Sequence, residues 1–261
     1  MHPVEKQMKV IAASLRLFLI PLLLVASLAV TPGPARAADV VGLDLTGGGN
    51  DTMAAGETVS APATDIGNAF GSKLDNSAEL DNSGTISATS ESWNAYGVYS
   101  FGSSTLTNSG TISASGGAGS YAIFGRGTST VNLETGTQIL SGSVYSETSS
   151  TLNVTSNSDL DFVLAGIWNT IQASGTGAWT LGSGSSASAN TLTLDLGSIM
   201  VMPTDSRLTV TGTATLNGTL LVAPSSDALG TTTILTAGTL NTGPAYRTGN
   251  ANPNFRVNAT T

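Results

Sequence analysis

The sequence predicts an all-β fold: a right-handed parallel β-helix (β-solenoid) of roughly 25-residue coils, behind an N-terminal signal peptide helix. Three observations carry this prediction. The stretches "LDNSGTISATS" from Leu80 and "LTNSGTISASG" from Leu106 share the run NSGTISA at an offset of 26 residues. Apolar residues recur with a period of two in short runs such as "YGVYSF", "YAIFG", "STLNV" and "NTLTLDL", bounded by Gly, Asn and Ser. After residue 37 no segment carries a 3.6-residue apolar period with helix caps.

Residues 1–37 read as a cleaved secretory signal. Lys6, Lys9 and Arg16 precede the uncharged run Leu17–Val30, and Ala35 and Ala37 stand where signal peptidase cuts. That run is short for a bilayer span of roughly 20 residues, and Pro21 interrupts it. The mature chain is expected to start at Ala38, to be exported and to hold no membrane span.

Residues 38–180 read as solenoid repeats. Gly84, Gly110 and Gly136 are evenly spaced and each precedes a Thr; "AYGVYSFG" from Ala95 is echoed by "SYAIFGRG" from Ser120, and "GNAFGSK" from Gly67 is an earlier echo. A worn third copy, "VNLETGTQIL" from Val131, puts Gln138 in the place of Ile86 and Ile112. Strands this short cannot bury an apolar face alone, so the copies must stack. Stacking sets Leu80 over Leu106 and Ile86 over Ile112 inside, with Asn82 over Asn108 as an amide ladder at a corner. At about 4.8 Å per turn, the mature chain would make about nine turns. An antiparallel sandwich of similar strands gives no reason for matched columns at a fixed offset. Residues 181–243 continue as a C-terminal solenoid segment in which Asn217-Gly218 is a tight-turn pair. Residues 244–261 read as a polar tail.

Composition excludes several function classes. The chain has no Cys and one His, His2, which leaves with the signal. Ser-His-Asp and Cys-His catalysis and His- or Cys-based zinc sites cannot be built, and disulfides contribute nothing to stability. Removing Lys6, Lys9, Arg16, Arg36 and Glu5 leaves five cations against 16 carboxylates, a mature net charge of −11. Such a surface repels nucleic acid and anionic lipid headgroups. No cofactor and no catalytic or metal-binding residue is assigned, and the chain is expected not to be an enzyme.

Three features are candidate sites. Asp159 and Asp161, two residues apart, would point to one face of a strand, as a polysaccharide-cleaving carboxylate pair requires; a solvated strand edge is the plainer reading. "LTGGGNDTM" from Leu45 matches one calcium-binding nonapeptide except at Thr46 and Met53, but such motifs work in stacked arrays, so an ordinary turn is expected. Tyr96, Tyr99, Phe101, Tyr121 and Phe124 crowd into two adjacent turns. They could seat sugars or a partner protein, but the reading favours register-pinning stacks inside the solenoid, with Tyr96 and Tyr121 partly outside. Trp93, Trp168 and Trp179 carry no spacing signal.

The L-x-N-S-G-T-I units, with "TATLNGTLLV" and "TTTILTAGTL" behind an export signal, resemble the passenger domain of Gram-negative autotransporters. The resemblance covers about Asp75 to Gly243 and is most specific over Arg207–Leu240. It implies a β-helical passenger that crosses the outer membrane through a C-terminal β-barrel and serves adhesion or surface display, contacting a host or bacterial surface protein or glycan. It implies a secreted or outer-membrane location, periplasmic where no barrel is available. No barrel of roughly twelve amphipathic strands follows in this sequence. The expectation is therefore a barrel supplied by another chain, or a passenger fragment or truncated remnant.

Overall fold

The computed structural model describes residues 39–64, 67–223 and 232–243, with the backbone alone of 247–250. The export signal expected over 1–37 lies outside the described residues. Coil 1 holds β1 (Val40–Leu45), β2 (Asn50–Met53) and β3 (Thr58–Ala63); coil 2 holds β4 (Ala69–Leu74), β5 (Glu79–Asn82) and β6 (Thr85–Ser90). Coil 3 holds β7 (Asn94–Gly102), β8 (Thr105–Asn108) and β9 (Thr111–Gly116); coil 4 holds β10 (Gly119–Gly127), β11 (Thr130–Glu134) and β12 (Gln138–Ser141). From coil 5 onward the first strand bends round a corner and serves two faces. The pairs are β13 (Ser143–Thr155) with β14 (Leu160–Phe162), β15 (Leu164–Ala173) with β16 (Ala178–Leu181), and β17 (Ser186–Leu194) with β18 (Ile199–Pro203). β19 (Arg207–Leu216) with β20 (Thr219–Ala223) completes about eight turns, and β21 (Leu235–Thr242) and β22 (Arg247–Asn250) continue them.

All the strand pairings are parallel, so the chain is a β-solenoid with three faces. Face A stacks β1, β4, β7, β10 and the first part of β13, and face B stacks β2, β5, β8, β11 and the second part of β13. Face C is two ladders, β3-β6-β9-β12 and β14-β16-β18-β20-β22, with no pairing between β12 and β14. β22 pairs with β20, so the ladder runs past the boundary the sequence reading sets after residue 243.

The stacking follows the repeated words. Ile86 pairs over Ile112, Leu80 over Leu106 and Asn82 over Asn108, and all six are buried. Asn82 donates Nδ2–H to Asn108 Oδ1 at 2.6 Å, and Asn108 donates onward to Thr137 Oγ1 at 3.2 Å. This two-rung amide ladder interrupts a column that is otherwise apolar, with Met53 before it and Leu133 and Val154 after it. Each amide is therefore satisfied by its neighbour in place of water.

Two expectations need correction. Gln138 does not occupy the place of Ile86 and Ile112. It pairs with Thr111, and Ile139 sits over Ile112, because the strands ahead stack 25 residues apart and the turn from Leu133 to Gln138 then holds two residues more than that from Asn108 to Thr111, with Gly136 at φ +99°. The coil is also not uniformly about 25 residues. Stacked partners lie 25 to 29 apart among β1–β12 (Val98 with Ile123, Val40 with Ala69). From coil 4 through β20 they lie 18 to 22 apart (Ser150 with Trp168, Leu192 with Ala214).

A candidate interaction face

The shape of coils 2–4 explains where the aromatic residues go. Along β7 the side chains of Ala95, Val98 and Ser100 are buried, while Tyr96, Tyr99 and Phe101 face outward. Strict alternation would put Tyr96 and Tyr99 on opposite sides. It fails at Gly97-Val98, which are consecutively buried, and again at Ala122-Ile123 in β10. The backbone presses inward there. A Cβ on Gly97 would meet Ile112 Cγ2 at 2.6 Å, and one on Gly71 would meet Ile86 Cγ2 at the same distance. Beside this contact the core is a cluster of alanines, Ala63, Ala69, Ala88, Ala95 and Ala114. Faces A and C thus close on each other with no room for a ring.

The rings therefore stand outside, which corrects the expectation that Tyr99, Phe101 and Phe124 pin register from within. They form two columns. Phe70, Tyr96 and Tyr121 stack at 4.9 and 5.4 Å between ring centroids, with planes 9° and 12° apart. Tyr99, Phe124 and Tyr145 stack at 5.4 and 5.1 Å, with planes 5° and 24° apart. Across the columns the rings meet edge to face, as in Tyr96–Phe124 at 5.3 Å and 86°. The spacing is close to the ladder repeat, so each coil adds one ring to each column. Phe70 and Tyr145 extend the wall by one coil at each end; the register pairing with Tyr96 and Phe124 is the signal that finds them.

Polar groups fasten the margin. Asn94 Nδ2–H donates to the Tyr96 hydroxyl at 3.1 Å. Burial among its neighbours pushes the Tyr96 hydroxyl above its ordinary pKa, and this bond pulls the other way. Arg126 pairs with Glu147 at 2.8 Å and lies 5.8 Å from the centroid of the Phe101 ring. The neighbouring Tyr99 hydroxyl, then the Glu147 charge, hold its guanidinium above the ordinary pKa. Phe101 and, at the preceding corner, Trp93 are exposed.

The geometry decides what this wall can offer. Sugar stacking needs a free ring face. Here most ring faces are covered by the ring above or below, and the surface presents ring edges and hydroxyls. Such a surface suits a protein better than a glycan.

The other two features are local structure. Asp159 and Asp161 are both exposed on face C as the two-residue spacing requires, and Asp159 Oδ1 accepts the Ala178 backbone N–H at 3.0 Å. The depression beside them, lined by Ser156, Ser158, Gly177 and Ala178, holds no space for a water molecule. In "LTGGGNDTM" the turn between β1 and β2 puts Gly47 and Gly48 at φ +89° and +85°, while Asp44 and Asp51 accept the backbone N–H groups of Thr46 and Thr52. Among the described residues no group of three or more His, Cys, Asp or Glu is placed to hold a metal, and no helix is long and apolar enough to cross a membrane. Trp168 and Trp179, which carried no spacing signal, are core residues.

The fold and this face define a parallel β-solenoid with a stacked aromatic surface on its first half. Comparison of the chain with protein families, with curated proteins and with solved structures finds no match.

Proposed function

We propose that this chain is an exported, non-enzymatic β-solenoid, similar to an autotransporter passenger, that works in adhesion or surface display and uses the aromatic wall of face A to hold a protein partner. The wall is the observation that carries the reading. Five half-buried rings on coils 3–5, with the buried Phe70 closing one column in coil 2, are ordered into two columns, a larger aromatic grouping than an isolated exposed residue needs. Support for export comes from the leader pattern of residues 1–37 and from the L-x-N-S-G-T-I units and the Arg207–Leu240 segment. In this reading an outer-membrane β-barrel carries the rod to the cell surface, and the location is extracytoplasmic.

Two measurements test it. The full chain is expressed in a Gram-negative host and followed by mass spectrometry: export requires a product beginning at Ala38 outside the cytoplasm, and a cytoplasmic product starting at Met1 ends the reading. Beads coated with the purified chain are then offered to bacterial cells with and without prior protease treatment. Attachment is expected to fall with the Tyr99→Ser/Phe124→Ser variant and with protease-treated cells. Attachment that ignores the variant removes the wall from the mechanism.

A further inference from the structure

We infer that the occupant of the aromatic wall is the same wall on a second copy of this chain, the two solenoids lying antiparallel about a two-fold axis. The inference rests on the reading that the wall is a contact face, and it adds the partner. The first argument is charge. Outside the leader each copy carries a net charge of −11, so most approaches of one copy to another are repulsive. The wall is the exception. Its outward side chains are the five half-buried rings, Phe101, Lys73, Arg126 and Glu147, with Asp44 beside Lys73 at its edge, which is close to neutral. Carboxylates crowd the N-terminal coils of face B instead, with Asp51, Glu79 and Asp81 all exposed.

The second argument is the order of the charges along the wall. Lys73, in coil 2, pairs in register with Tyr99 and makes no ion pair among the described residues. Glu147, in coil 5, lies two residues beyond Tyr145, which is in the same column as Lys73. Each end of the wall thus carries a charge with one neighbour of opposite sign, Lys73 in register with Asp44 of coil 1 and Glu147 paired with Arg126. A two-fold axis along the strands, between coils 3 and 4, sets coil 2 of one copy over coil 5 of the other. Each Lys73 then reaches the Glu147 of the opposite copy, twice per dimer, as an isologous interface demands.

The third argument is size. Face A is six residues wide in coil 2, nine in coils 3 and 4 and four in coil 5, on the order of 450 Å² before corrugation. That is roughly 900 Å² for the pair, the size of a weak, reversible contact, so the association should depend on concentration. Two flat sheet faces also pack against each other about 10 Å apart with their side chains meshed.

Sedimentation equilibrium of the full chain over a concentration series is the test, with circular dichroism to show that each variant keeps its strands. The expected result is a monomer–dimer equilibrium. Lys73→Glu and Glu147→Lys should each weaken it at least about tenfold, because two like-charge contacts replace two attractive ones. An equimolar mixture of the two variants should recover dimer, since in the heterodimer both contacts are again between opposite charges. Any of three results overturns the inference: a wild-type chain that stays monomeric throughout, variants that dimerise like the wild type, or a mixture that does not recover. If the wild type is monomeric while the Tyr99→Ser/Phe124→Ser variant still loses attachment to cells, the self-pairing fails and the contact-face reading stands. If attachment ignores the wall, that reading fails on its own result.

Discussion

Coils 1–4 and coils 5–8 solve the same stacking problem with different cross-sections. In the first half face A is wide: Asn94–Gly102 pairs with Gly119–Gly127 along its whole length. In the second half that face shrinks to Ser143–Ser146 of β13 and Leu164–Gly166 of β15, and the strand turns directly onto face B. The core changes with it. The wide half closes its A–C corner with alanines and backbone, and its rings stand outside. The narrow half buries Trp168, Trp179, Phe162 and Met200, with Phe162 and Trp179 stacked at 5.6 Å. Residue size inside and coil length therefore run in opposite directions. Extra residues per coil widen a face without thickening the core, and that face carries the wall. The junction falls where face C loses its ladder between β12 and β14, because strands whose coils differ in circumference cannot stay in register on all three faces.

The largest effect that would break this contrast is a deletion in the narrow half. Trp168 is 1% exposed, and its Nε1–H donates to the Ala165 carbonyl at 3.0 Å. Trp168→Ala should cost about 3–5 kcal/mol, read from the midpoint of denaturant unfolding. A cost near zero would mean that the indole does not fill the narrow core. The next effect belongs to the wide half. Asn108→Leu removes the partner of the buried Asn82 amide and should cost about 1–3 kcal/mol. The double change Asn82→Leu/Asn108→Leu should recover part of that loss, because Met53 and Leu133 already make the neighbouring rungs apolar. If the double variant is worse than the single, the column is not the continuous stack described.

The wall itself gives a pH test. The folded-state pKa of Tyr96 is raised above its ordinary value of 10.0, chiefly by burial. A group raised in this way favours the fold while protonated, so its contribution is complete below the unfolded value and is lost as pH rises through the folded one. Stability should therefore drop in the alkaline range above about 10, and Tyr96→Phe should reduce the drop. Ultraviolet titration of tyrosinate should show one hydroxyl ionising late in the wild type and absent from the variant. Equal alkaline loss in both proteins would place the cause elsewhere.

What the letters revealed depended on repetition. Ile86 with Ile112, Leu80 with Leu106 and Asn82 with Asn108 were legible because their neighbours are the same words, and parallel stacking converts equal words into equal positions. Ile139 was not, because a two-residue insertion in the turn, partly offset by one residue lost ahead of it, shifts a worn copy without leaving a mark in its composition. Trp168 and Trp179 were illegible for the same reason: no repeated phrase surrounds them, and isolated tryptophans have no period to read. The aromatic wall was half legible. Its membership lay in the echo of "AYGVYSFG" and "SYAIFGRG", but its side of the sheet turned on a break in alternation at Gly97-Val98 and Ala122-Ile123. The clue was size: Gly71, Gly97 and Ala122 are small because face C lies directly beneath them.

The smallest predicted effect sharpens the contrast most cheaply. Trp93 is 49% exposed at the corner ahead of β7, and the local bonds it makes come from its backbone: its N–H donates to Ser90 Oγ and its carbonyl accepts from Ala118. An alanine keeps both bonds. Trp93→Ala should therefore change stability by no more than about 0.5 kcal/mol, although it deletes the same indole as Trp168→Ala. The two variants, measured side by side by chemical unfolding, compare one ring outside the wide half with one inside the narrow half. If Trp93→Ala costs as much as Trp168→Ala, the wide half hides apolar surface at that corner, and the claim that its large rings stand outside for want of room is wrong.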